Sequence, residues 1–205
     1  MQVDFIFQIA VLIMSVVVHE VAHGYAANSL GDPTAKYAGR LTLNPLKHLD
    51  PIGSFLVPFI SYLLGGFIFG WAKPVPYNPY NLKPGRWSEA KVALAGPASN
   101  IALALIFGFL LRFGLLGGVA NSGFVEITAI IVFINILLAI FNLMPIPPLD
   151  GSKVLYALFP AKFFQLRGFF ERYGLFMILL FIFFAWQFVV PVVLFLFTLI
   201  TGLAL

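Results

Sequence analysis

DFIFQIAVLIMSVVVHEVAHGYAAN, residues 4–28, decides the fold of this 205-residue chain. From Phe5 to Val18 it is apolar apart from Gln8 and Ser15, and it carries His19, Glu20 and His23 before Ser29-Leu30-Gly31-Asp32-Pro33 stops it. A run of this length suits a membrane-spanning helix, which needs about 20 mostly apolar residues. Ionisable groups there need compensation, because a charge at mid-membrane costs about 2.5–3.5 kcal/mol on insertion scales. Residues i and i+4 share a helix face, so His19 and His23 can reach one metal ion while Glu20 stands beside it to take a proton from water. The competing reading is three interfacial residues bonded to headgroups or neighbouring helices. The run lacks a basic start and includes Asp4, so a permanent helix is expected rather than a cleaved signal.

The rest of the composition agrees with a bilayer as solvent. Hydrophobic residues make up 61% of the chain and charged residues 10%, against roughly half and a quarter in soluble domains. The expectation is an all-α polytopic membrane protein forming a single domain over 1–205, with a core at about 5–155 and apolar helices at about 174–205. There are no cysteines, so a metal must be held by imidazole and carboxylate. The net charge of +4 lies in short loops, which points to membrane orientation and away from nucleic acid.

Helices are expected at about 4–28, 88–113 and 123–144. Between the first two, residues 38–44 alternate weakly and end at Asn44-Pro45, which predicts a short strand. Residues 53–71 are apolar but contain Pro58 and Gly65-Gly66, which predicts a re-entrant segment or packed hairpin. WAKPVP, residues 71–76, is too proline-rich for a helix. The tail from Gly174 to Leu205 is too long for one span and predicts two short spans parted near Gln187–Pro191, or one kinked helix.

Charge fixes an orientation. Lys36, Arg40, Lys47, Lys73, Lys83, Arg86, Lys91, Lys153, Lys162, Arg167 and Arg172 all fall on one side if 53–71 does not cross; only Arg112 falls elsewhere. The positive-inside rule makes that side cytoplasmic and turns the N-terminus outward.

A catalytic zinc takes three protein ligands and an open position, so a third ligand is needed. Asp4 lies about 22 Å from His19 along the same helix, and Glu126 begins a helix on the outer side. Asp150 follows the third long helix in NLMPIPPLDG, residues 142–151, where three prolines enforce irregular backbone. Irregular backbone at membrane depth is tolerated where it is buried or lines a cavity. The same non-crossing topology that gathers the basic residues brings Asp150 to the end holding His23. The alternative is a turn aspartate beside Gly151. His48 and Asp50, just before Pro51, read more simply as turn residues than as ligands.

These residues resemble the site-2 protease family of intramembrane metalloproteases. The resemblance rests on HEVAH at 19–23, AGPASN at 95–100 and NLMPIPPLDG at 142–151, in the family's order. GRLTLNP at 39–45 and WAKPVPYNP at 71–79 look like a compact bacterial subgroup. It implies a three-helix catalytic core, one Zn2+ held by His19, His23 and Asp150, and Glu20 as general base. It also implies Asn142 as a donor to the reaction's oxyanion, transmembrane substrates, and a bacterial cell membrane. Asn142 as a helix-end cap stays open. Asn100, within the second motif, is a site contact or a helix-packing amide.

The reaction expected is peptide-bond hydrolysis, with Glu20 moving the proton. A metal transporter or channel with an intramembrane His/Asp site is the alternative. Transport calls for polar groups spread across the membrane, whereas these gather at one end.

Overall fold

Apolar length rather than end chemistry makes the first long helix, which has no acidic residue in its first turn and no basic residue in its last. The computed structural model describes residues 5–50, 52–56, 59–60, 63, 73–118 and 121–203. Among them the helices are α1 (Phe5–Ser29), α2 (Thr34–Tyr37), α3 (Ser88–Leu116), α4 (Ser122–Asn142), α5 (Gly151–Leu158), α6 (Pro160–Leu180) and α7 (Trp186–Thr201). Four stretches are long and apolar enough to cross a membrane: Ile6–Ser29, Ser88–Leu116, Ser122–Asn142 and Arg167–Thr201. The chain is therefore a multi-pass, all-helical integral membrane protein.

Helices α1, α3 and α4 pack on one another. Lipid tails give no hydrophobic drive between helices, so close approach depends on small side chains. Ala27 of α1 is accordingly buried with Val92 of α3, and Gly96 of α3 lies directly against His19 and His23. On the opposite flank α7 covers α3 and α4 through Ala104, Val132, Ile136, Val189, Val193 and Phe197.

The connection from α1 to α3 leaves and returns at the same end of the bundle. Lys83 N–H donates to the Leu30 carbonyl (2.7 Å), and His23 at the end of α1 lies against Val92 near the start of α3. The end of α4 reaches this end too, so α1 and α4 run parallel and α3 runs against them, the arrangement the basic residues called for. Most of 53–71, including Gly65-Gly66, lies outside the described residues, so the re-entrant expectation falls there.

One local expectation needs correction, and one pair of alternatives is resolved. Residues 38–44 form no strand. Thr34–Tyr37 makes one helical turn, Gly39 takes the left-handed conformation (φ 63°), and the Asn44 side chain caps a 3-10 turn at Pro45–Lys47. Left-handed glycine ends the helical turn. Arg40 then ties the segment to its neighbour by donating to the Lys73 carbonyl (2.7 Å), in place of a ladder of backbone bonds. The tail is one continuous helical stretch, and its irregularity is a π turn at Phe181–Ala185, ahead of Gln187. Pro191 is absorbed inside α7, where it forfeits a single intrahelical bond.

Asp32 anchors the loops at this end. Its carboxylate is fully buried and accepts from Thr34 N (3.1 Å), Thr34 Oγ1 (2.5 Å), Asn78 N (2.6 Å) and Asn81 Nδ2 (3.0 Å). Burial opposes its charge, but these bonds hold the carboxyl below the ordinary range. Removing it strands several buried donors at about 1–3 kcal/mol each. Asp32→Ala is expected to lower stability by about 3 kcal/mol in detergent-solubilised thermal unfolding. The folded pKa is depressed, so the carboxylate's contribution is present above the unfolded pKa of about 3.9 and is lost as pH falls through the folded value. The variant is therefore expected to lose the wild type's acid-side fall in stability due to this group.

Candidate metal centre

His19 and His23, one turn apart near the end of α1, meet Asp150 at the start of α5. The distances are 3.0 Å between the two Nε2 atoms and 3.1 Å from each to Asp150 Oδ2. These three side chains form a group that could hold a metal ion. Their outer nitrogens are already committed. His23 Nδ1 lies 2.7 Å from the Val92 carbonyl, which can only accept, so that nitrogen carries the proton. His19 Nδ1 lies 2.6 Å from Asn100 Oδ1, which likewise accepts. Two neutral imidazoles with protons so placed turn two bare lone pairs and a carboxylate oxygen toward one another. A metal cation between them would satisfy all three donors at once, and two nitrogens with one oxygen suit zinc.

Asp150 is well placed as the negative member. Its Oδ2 lies 3.1 Å from each Nε2, so the carboxylate brings the negative charge that a divalent ion held by two neutral imidazoles needs. Gly151, which follows it, packs against the Leu143 and Met144 carbonyls at the end of α4. This contact seats the proline-rich loop against that helix.

Gly96 sets the spacing between α3 and the imidazoles. A Cβ there would overlap both His19 Nε2 and His23 Nε2, the two metal-facing nitrogens, with the backbone of α3 behind it. Gly96→Ala is thus expected to weaken zinc binding at least 100-fold, read by competition with a chromophoric chelator. Helix content should be unchanged, since Ala is the better helix former.

Glu20 faces the same cavity of about 190 Å3, lined also by His19, His23, Pro74, Val75, Tyr77, Asn142, Pro148 and Lys153. Its Oε2 accepts from Val75 N (2.8 Å). Prolines at 74 and 76 have no N–H, so Val75 offers the lone backbone donor of that triplet to the carboxylate. Arg40, through the Lys73 carbonyl, fixes the segment from the other side.

The other residues singled out from sequence are distributed as follows. Asn142 lines the cavity, with its Nδ2 donating to Leu138 O (2.9 Å) within its own helix. Asn100 is fully buried behind His19, where it meets that imidazole's outer nitrogen and not the open cavity. His48 is buried with Nε2 donating to Thr42 O (2.9 Å), and Asp50 Oδ1 accepts from Ile52 N and Gly53 N. Neither joins the donor cluster. Val75, Tyr77 and Lys153 were not singled out as site residues by sequence reasoning; the signal available for the first two was the proline-rich stretch itself. Burial, helped by the nearby Glu89 and Asp150 charges, pushes the Tyr77 phenol up to about 12, so it remains protonated in the cavity wall.

Comparison with known proteins follows the same lines. The sequence model for peptidase family M50 matches residues 7–117 and 113–185. The chain is 42% identical over 159 residues to YwhC of Bacillus subtilis, covering 75% of this chain and 69% of that protein. It is 36% identical over 162 residues to Rip2 of Mycolicibacterium smegmatis, covering 74% and 56%, so the match spans little more than half of that relative. It is 33% identical over 163 residues to MJ0611 of Methanocaldococcus jannaschii, covering 73% and 72%. All three bear the name of a zinc metalloprotease. No solved structure matches the chain. With most of its length matched and its apolar helices in place, the chain belongs to peptidase family M50, the site-2 protease family of zinc metalloproteases.

Proposed function

We propose that this metalloprotease cuts peptide bonds of transmembrane substrates, using His19, His23 and Asp150 as ligands to one zinc ion and Glu20 as general base. The observation that carries the reading is the convergence of the three donor atoms, both outer imidazole nitrogens occupied, on a cavity shared with Glu20. When bound, zinc supplies a Lewis acid that makes water acidic near neutral pH and polarises the scissile carbonyl. Glu20 takes the proton of the attacking water and delivers it to the leaving amine. Val75 N–H holds one oxygen of the Glu20 carboxylate and leaves the other for that transfer. Asn142 turns its amide from Leu138 toward the developing oxyanion.

A substrate helix hides its amides in internal hydrogen bonds, so cleavage requires local unwinding at the cavity. The eleven basic residues support a site toward the cytoplasmic side with the N-terminus outward, and the resemblance to a compact bacterial subgroup supports a bacterial cell membrane.

The test is reconstitution of purified protein in liposomes with a single-span model substrate, with fragments mapped by mass spectrometry. Cleavage inside the span, abolished by chelation and restored by zinc, is the expected result. Zinc flux across the liposome without any cleavage would replace this reading with transport.

A further inference from the structure

Three buried polar side chains, Asn100, Asn135 and Ser15, line up behind His19. Asn135 Nδ2 donates to Ile131 O (2.8 Å) and to Ser15 Oγ (2.9 Å). Asn100 Nδ2 donates to Asn135 Oδ1 (2.8 Å) and faces Ser15 O (3.3 Å). Asn100 Oδ1 then meets His19 Nδ1 at 2.6 Å. Asn100 and Asn135 are 0% exposed, and Ser15 and His19 nearly so. The group joins α1, α3 and α4, and burying amides in such a core is costly unless they are fully bonded.

An amide can face either way, but the carbonyls at the ends of this chain remove the ambiguity. Ile131 O only accepts, so it takes the NH2 side of Asn135 and turns Oδ1 toward Asn100. Ser15 O also only accepts, and together with Asn135 Oδ1 it fixes the NH2 side of Asn100. Asn100 Oδ1 is left facing the imidazole. His19 must therefore carry its proton on Nδ1, which keeps the Nε2 lone pair for the donor cluster.

We infer that Asn135 is a positioning residue for the metal centre: acting through Asn100, it sets which nitrogen of His19 carries the proton and so tunes metal affinity. The inference rests on His19 being a zinc ligand. Without the Asn135 acceptor, only the longer contact to Ser15 O (3.3 Å) holds the Asn100 amide; that contact is too weak to keep it from turning its NH2 toward His19 Nδ1, which drives the proton to Nε2, where it blocks ligation. Groups that orient a ligating histidine are worth about 10–100-fold in metal affinity.

The test compares wild type with Asn135→Leu, Asn135→Asp and a control, Thr128→Val, which alters another buried polar residue on α4. Zinc affinity is read by chelator competition. The His19 proton is located by 15N NMR of metal-free, histidine-labelled protein, which has three histidines. Asn135→Leu is expected to bind zinc 10–100-fold more weakly and to shift the His19 proton to Nε2. Asn135→Asp, held neutral by its buried site, can donate its O–H to Ile131 O and keep an acceptor toward Asn100, so it should recover most of the affinity, and Thr128→Val should match wild type.

Affinity within threefold of wild type in Asn135→Leu would overturn the inference, as would an equal loss in Thr128→Val. If Asn135→Leu fails to fold, the wild-type spectrum decides: a proton on Nδ1 supports the relay, and one on Nε2 refutes it. Wild type that binds no zinc while keeping its His19 proton on Nδ1 would overturn the metal reading and the affinity role of Asn135 with it. Normal zinc binding with the proton on Nε2 would sink the relay alone.

Discussion

Glu20→Gln is expected to slow peptide-bond cleavage roughly 10³-fold while the zinc content stays at the wild-type level, because positioned general acid–base groups contribute about 10²–10⁴-fold. Glutamine suits the test because its side-chain oxygen can still accept from Val75 N–H, the bond Glu20 makes at 2.8 Å. The Pro74–Pro76 segment, the imidazoles and the cavity should then keep their places, and only the capacity to take and return a proton is lost. Alanine would also strand the Val75 donor and confound chemistry with loop movement. The measurement is the single-turnover rate on a reconstituted single-span substrate beside metal analysis of the same sample. Wild-type cleavage by the variant would remove Glu20 from the reaction.

Asp150→Ala is expected to act at an earlier step. It removes the carboxylate from the donor group and leaves two imidazole nitrogens 3.0 Å apart with nothing to offset the charge of a divalent ion. Zinc affinity should fall at least 100-fold, and cleavage should disappear at ordinary metal concentrations. Asp150→Glu keeps the charge but lengthens the side chain in a cavity bounded by Pro148 and Leu149, so partial recovery is expected. The two variants thus separate by metal content: Glu20→Gln is inactive with zinc, Asp150→Ala inactive without it.

The convergence of His19, His23 and Asp150 could be read in the sequence because it follows from regular geometry. An i, i+4 pair shares a helix face, and helix direction decides which later loop returns to it. Both rules operate over whole helices and tolerate errors of a residue or two at the ends. The strand expected at 38–44 failed because its weak alternation ignored Gly39, whose left-handed backbone ends a helical turn, and because among the described residues no second strand is there to pair with. Of the two readings of the tail, the parting near Gln187–Pro191 is absent and the single helix holds, because one proline can be carried inside a packed helix, while the π turn at Phe181–Ala185 has no proline to announce it.

The roles of Gly96, Asn100 and Asn135 were beyond sequence for another reason. Each depends on the rotation of α3 or α4 about its axis relative to α1, which apolar composition leaves undetermined. The α3 helix is apolar on nearly every side, so nothing in its pattern marks the face that Gly96 and Asn100 turn toward the histidines. Asn100 could equally have packed one helix on another; its 2.6 Å approach to His19 is a property of the assembled bundle.

The central claim is a single zinc ion held by two imidazoles and one carboxylate. Zinc K-edge X-ray absorption on the purified, metal-loaded protein tests it most directly, with metal content measured on the same sample. The account predicts one zinc per chain, imidazole scattering that fits two histidines, and an Asp150→Ala sample that retains no stoichiometric zinc. Stoichiometric zinc in Asp150→Ala with an unchanged spectrum, or a wild-type spectrum fitted by one imidazole or none, would contradict it.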